Sequence, residues 1–117
     1  SLTLSKKEIE DELNKIPTNK LRLFSELHDD YGGTYNPTIK IDSYYKEIIS
    51  FLRKVKNITF LEEYTRDEYG GEAHLIFHIE NTNFYIKIEG WYSSADGFQP
   101  SQYKFVTPIQ KTITVYE

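Results

Sequence analysis

The stretch EAHLIFHIENTNFYIKIEGW, residues 72–91, reads as two strands joined by a two-residue loop, and its register decides the fold. A loop made of Asn81 and Thr82 pairs Glu80 with Asn83 and sets every pair outward from there. Ile79 then faces Phe84, Phe77 faces Ile86, Leu75 faces Ile88 and Ala73 faces Gly90, all of them apolar or small. The other face pairs His78 with Tyr85, Ile76 with Lys87, His74 with Glu89 and Glu72 with Trp91. Such a division suits an antiparallel sheet with one buried and one solvated face, and a slip of one residue would destroy it.

The period of two extends to both sides of this hairpin. ITFLEEYT (58–65) precedes it, and YKFVTPI (103–109) and KTITVYE (111–117) follow, each reading as a further strand. Pro108 has no amide to donate, so its strand is expected to lie at an edge or to be interrupted there. Before residue 58 the period is helical. SKKEIEDELNKI opens with Ser5 and Glu8 in capping-box spacing, carries Ile9, Leu13 and Ile16 on one stripe, and stops at Pro17. LRLFSELHDDYGG places Leu21, Phe24 and Leu27 on one face and ends at Gly32 and Gly33. After an extended link through TYNPTIKI, DSYYKEIISFLRKVKN gives the clearest helical pattern, with Asp42 as N-cap and Tyr45, Ile48, Ile49, Leu52 and Val55 on one stripe. DDYGG (29–33) and DEYGG (67–71) look like a repeat, but their flanks differ, so they read as two separate turns. The expected fold class is α+β: about three N-terminal helices, then an antiparallel sheet of four or five strands with a helix packed on its apolar face. Residues 1–117 read as a single domain, mainly helical over 1–57 and mainly sheet over 58–117.

Composition narrows the function classes. The formal net charge is -4, from 18 acidic and 14 basic side chains, and the longest basic cluster is RKVK at 53–56. A polyanion is therefore not the expected main partner, and direct nucleic-acid binding is disfavoured. The absence of cysteine removes disulfides and thiolate chemistry and suits a cytoplasmic setting. No apolar run approaches a membrane span, so no membrane partner is expected.

Candidate catalytic groups are few. His74 and His78 share a strand face but stand about 13 Å apart at the strand rise, too far for one ion. His28, Asp29 and Asp30 form the better cluster, where a helix end followed by glycines presents three potential ligands together; a metal-dependent hydrolase is the alternative reading they support. His74 opposite Glu89 forms either an oriented imidazole or a surface cross-strand pair. No phosphate loop, nucleophile elbow or zinc-protease motif is present, so neither catalytic residues, a resident metal nor a cofactor is expected.

Aromatic content points instead to recognition. The chain has ten Tyr, seven Phe and one Trp, and GWYSSADGFQP (90–100) places Trp91 beside Tyr92 at a strand end, followed by a polar, glycine-containing turn. By register Trp91 lies on the mixed face with Tyr85, where it is either exposed or covered by DGFQPSQY folding back over it. A rigid aromatic anchor with an adaptable polar rim is the composition of a binding surface. Trp91, Tyr92, Tyr85, Ser94 and Asp96, with the acidic pair Asp67 and Glu68, are the candidate binding residues. Single-strand nucleic-acid binding through Trp91 and Tyr85 is a further alternative, one that lacks the accompanying charge.

Gly90, Trp91, Tyr92, Ser93, Ser94, Asp96 and Gly97, together with a terminal strand over Thr112 to Glu117, resemble a pattern in small uncharacterised phage-encoded α+β proteins. The resemblance covers the C-terminal third. It implies a setting among accessory genes of phage or mobile elements, whose products are often inhibitors of host or defence proteins. The expected function is a non-catalytic protein-binding module, an inhibitor or neutralising partner of anti-defence or immunity type. Its target is expected to be a protein, basic or nucleic-acid-handling.

Overall fold

The computed structural model describes residues 4–67, 69–109 and 114–116. The fold is α+β: three helices and a five-stranded antiparallel sheet of order β1-β2-β3-β4-β5, with strands β2 to β5 following the last helix. The helices are α1 (Lys6–Asn14), α2 (Leu23–Tyr31) and α3 (Ile49–Val55), and the strands are β1 (Thr34–Tyr35), β2 (Ile58–Thr65), β3 (Gly70–Ile79), β4 (Tyr85–Ser93) and β5 (Gly97–Val106).

Local signals act where expected in the first two helices. The Ser5 hydroxyl accepts the Glu8 amide at 3.2 Å and the Glu8 carboxylate accepts the Ser5 amide at 3.3 Å, so the capping box closes both ways. Gly32, at φ 84°, ends α2 in backbone geometry that a side chain would oppose. The third helix departs from the expectation of one continuous run. Asp42 does cap, accepting the Tyr44 amide at 2.7 Å, but a 3-10 turn over Ser43–Tyr45 follows it and α3 begins only at Ile49. In a 3-10 turn residues three apart eclipse, which brings Tyr45, Ile48 and Phe51 to one side. All three are at most 1% exposed, and their burial sets the local winding.

The central hairpin has the register derived from its loop. His78 pairs with Tyr85, Phe77 with Ile86, Leu75 with Ile88, His74 with Glu89 and Glu72 with Trp91. Leu75, Phe77, Ile86 and Ile88 face the helices and join Ile9, Leu13, Phe24, Leu27, Phe51 and Leu52 in a shared core. Phe24 stacks on Phe77 at 5.0 Å and meets Phe51 edge-on at 5.3 Å.

Two irregularities re-aim side chains. Opposite β3 the register of β2 shifts between Phe60 and Glu62, so Leu61 is an extra residue and every later residue of β2 changes face. Opposite β5 the register of β4 shifts between Glu89 and Gly90, where a Cβ on Gly90 would collide with the Gln99 carbonyl oxygen. Only glycine admits that approach.

The C-terminal expectations are corrected in part. GFQP forms the first four residues of β5, paired with β4, rather than a cover for Trp91, and the strand ends at Val106, before Pro108. Pro100 is the proline within the edge strand, opposite Gly90 at the register shift. Of the expected strand 111–117, residues 114–116 carry no strand, and 111–113 and 117 lie outside the described residues. Among the described residues no helix is long and apolar enough to cross a membrane.

Candidate functional site

The meander places the β2–β3 and β4–β5 connections at the same end of the sheet. In the first, the Asp67 carboxylate accepts the amides of Tyr69 at 2.8 Å and Gly70 at 2.9 Å, bending the chain into β3. In the second, the Ser93 hydroxyl accepts the Asp96 amide at 3.0 Å and Gly97 turns at φ 74° into β5, leaving Ser94 and Asp96 exposed. Trp91 stands close by on the open face, 53% exposed, and Tyr69 is 78% exposed. Glu68 lies outside the described residues.

Tyr92, one residue on, points the other way. It lines a cavity of about 290 Å³ between α2 and the sheet, together with Arg22, Glu26, Asp29, Glu63 and Asp96. Tyr85 is at the far end of the open face, six residues or about 20 Å along β4 from Trp91. It stacks on His78 with ring centroids 4.3 Å apart and planes 13° from parallel. Trp91, Tyr92, Ser94, Asp96 and Asp67 thus gather at one end of the sheet, Tyr92 on the opposite face from Trp91, and Tyr85 is not part of that group. Nor do Trp91 and Tyr85 make a continuous stacking platform, because Lys87 and Glu89 occupy the face between them.

The cluster at the end of α2 differs in membership from HDD. His28 Nδ1 lies 2.9 Å from a Glu63 oxygen and 3.7 Å from an Asp29 oxygen. The Ser25 hydroxyl donates to the other Glu63 oxygen at 3.3 Å. Asp30 turns away and accepts the hydroxyl of buried Tyr45, so it is not in the group. Burial, and the negative charge of Glu63 after it, hold the Asp29 carboxyl above its ordinary range. Burial first, then the bond to Asp30, raises the Tyr45 phenol.

Across the open face the imidazole of His74 does not bond Glu89, although the two residues are paired in register. Glu62, carried to this face by the Leu61 bulge, takes His74 Nε2 at 2.7 Å, and Tyr64 stacks over the ring at 5.0 Å. Glu89 is engaged by Lys104 at 2.7 Å, which holds its carboxyl below the usual range. His74 is thus bonded, and Glu89 ion-paired, by a neighbour on the other side, although Glu89 Oε1 is buried without a well-aligned hydrogen bond.

Sequence reasoning counted Glu63 only as one of several available carboxylates and did not join it to His28, and it missed Arg22 and Glu26. Strict alternation from Phe60 would have put Glu62 inward and Glu63 outward, and the bulge reverses both. The only local hint is the pair Glu62–Glu63 itself, which leaves a carboxylate inward in either register. No family model, curated protein or solved structure matches this chain.

Proposed function

We propose that the chain is a protein-binding module that recognises a basic surface through the loop end of its sheet. One observation carries this reading: exposed Trp91 stands at the same end of the sheet as a cavity lined by four carboxylates, Glu26, Asp29, Glu63 and Asp96. The lone guanidinium in that lining, Arg22, is already bonded to both Glu26 oxygens, at 3.2 and 3.1 Å. The negative field at this end is therefore left for a partner. An aromatic anchor supplies affinity by burying apolar area, and surrounding like charges steer encounter with a surface of opposite sign.

A basic, nucleic-acid-handling protein is the kind of target that such a surface suits. Inhibition or neutralisation of it, in the setting that the phage resemblance implies, is the matching activity. Asp67, Ser94 and Asp96 form the adaptable rim and Trp91 the anchor. The test is to capture binders from a host lysate, purify the basic protein retained, and measure its affinity for wild type and for Trp91→Ala. The variant is expected to bind about 30-fold more weakly, the usual cost of a hot-spot truncation near 2 kcal/mol. Asp96→Lys is expected to slow association and flatten its salt dependence. Unchanged affinity in Trp91→Ala, or a partner that binds equally fast in high and low salt, would remove this surface from the proposal.

A further inference from the structure

We propose that His28, Asp29 and Glu63 form a divalent-cation site on the wall of the α2–β2 cavity, with Zn²⁺ the ion its donors suit best. The site shares Asp29 and Glu63 with the acidic cavity of the protein-binding reading but does not rest on that reading, because metal binding is measured with no partner present. One nitrogen and two carboxylate oxygens, each from a different side chain, lie within 4.8 Å of one another. The two shorter separations, His28 to Glu63 at 2.9 Å and His28 to Asp29 at 3.7 Å, bracket the edge of a tetrahedron. That edge is about 3.4 Å for metal–ligand bonds near 2.1 Å, so side-chain shifts of about an ångström complete the set.

Position adds a second argument. Glu63 reaches this face because of the Leu61 bulge, a device that commonly re-aims a side chain beside a site. Its far oxygen takes the Ser25 hydroxyl, which orients the near one toward His28 as an outer partner of a ligand would. Asp29 and Glu63 line the cavity of about 290 Å³ and His28 stands behind them, so two of the three donors border space that a further ligand could enter. Three protein ligands with one open position is the arrangement of a site that can take an exogenous ligand. A nitrogen and two oxygens favour Zn²⁺ or Mn²⁺ over Ca²⁺, whose sites take oxygen alone.

Chelator-stripped, untagged protein titrated calorimetrically with ZnCl₂ tests the site directly. One ion per chain is expected, with a rise in melting temperature by linkage. Asp29→Asn and Glu63→Gln should each weaken binding about tenfold or more, the usual loss on removing or disturbing a ligand. Glu26→Gln, a cavity carboxylate outside the donor set, should bind as wild type does and so control for general negative charge. Circular dichroism of each variant shows that it is folded. The proposal is overturned if Zn²⁺ gives no saturable heat, if Glu63→Gln binds like wild type, or if His74→Ala rather than Glu63→Gln abolishes binding.

Discussion

The two faces of one sheet are built from alternate residues of the same strands and end in opposite chemical states. Toward the helices β3 and β4 present Leu75, Phe77, Ile86 and Ile88, none more than 1% exposed. Away from them the intervening residues His74, Ile76, Tyr85, Lys87 and Glu89 are half-buried by one another, and Trp91 is exposed. Among the described residues no element of the chain covers that side. Its order comes from cross-strand pairs instead, His78 on Tyr85, His74 with Glu62, and Glu89 with Lys104. The covered face stabilises the fold through volume filled, whereas the open face contributes little to stability and is free to be used.

That contrast can be broken most directly at neighbouring positions of β3. Phe77→Ala leaves a cavity among Phe24, Phe51 and Phe60 and should cost about 3 to 5 kcal/mol in urea unfolding. His78→Ala, which loses a stack and a bond to the Thr82 carbonyl, should cost about 1 kcal/mol. Equal costs would mean that the faces are not energetically distinct.

A smaller effect tests the seam between β4 and β5. Gly90→Ala places a Cβ against the Gln99 backbone, which has no flexible end to move, and about 1 to 3 kcal/mol of overpacking is expected. Wild-type stability in this variant would show that the two strands can separate at the bulge without loss.

The smallest expected effect is electrostatic and belongs to the open face. Lys104 depresses the Glu89 carboxyl, so between the depressed and the ordinary value the unfolded chain holds more protons than the folded one. The pair's contribution is complete above the ordinary glutamate pKa, about 4.3, and is lost as pH falls through the depressed value. Removing it by Lys104→Ala should flatten the stability profile in that acidic window by about 0.5 kcal/mol, a partly exposed pair being screened by solvent. An unchanged acid limb in the variant would show that the pair carries none of it.

Much of this was written in short-range pattern. Ser5 and Glu8 announce a helix start because both halves of the box lie within four residues. The pairing of β3 with β4 follows from a short loop, since the register of a hairpin is set where its strands meet and alternation then carries it outward. Trp91 could be assigned to the mixed face on the same ground, and Tyr92 to the opposite one, although adjacency in sequence had suggested one patch.

Tertiary structure decided the rest, through contacts between segments that no local period encodes. Burial of Tyr45 against α2 rewound the start of the third helix, and a bulge in β2 exchanged the faces of Glu62 and Glu63. Packing of α2 over that strand then brought His28 to Glu63, 35 positions away, while Asp30 went to Tyr45. Composition and spacing identify which side chains can bind a cation or a basic partner. Which of them meet depends on strand register and helix placement, and both are settled only when the core closes.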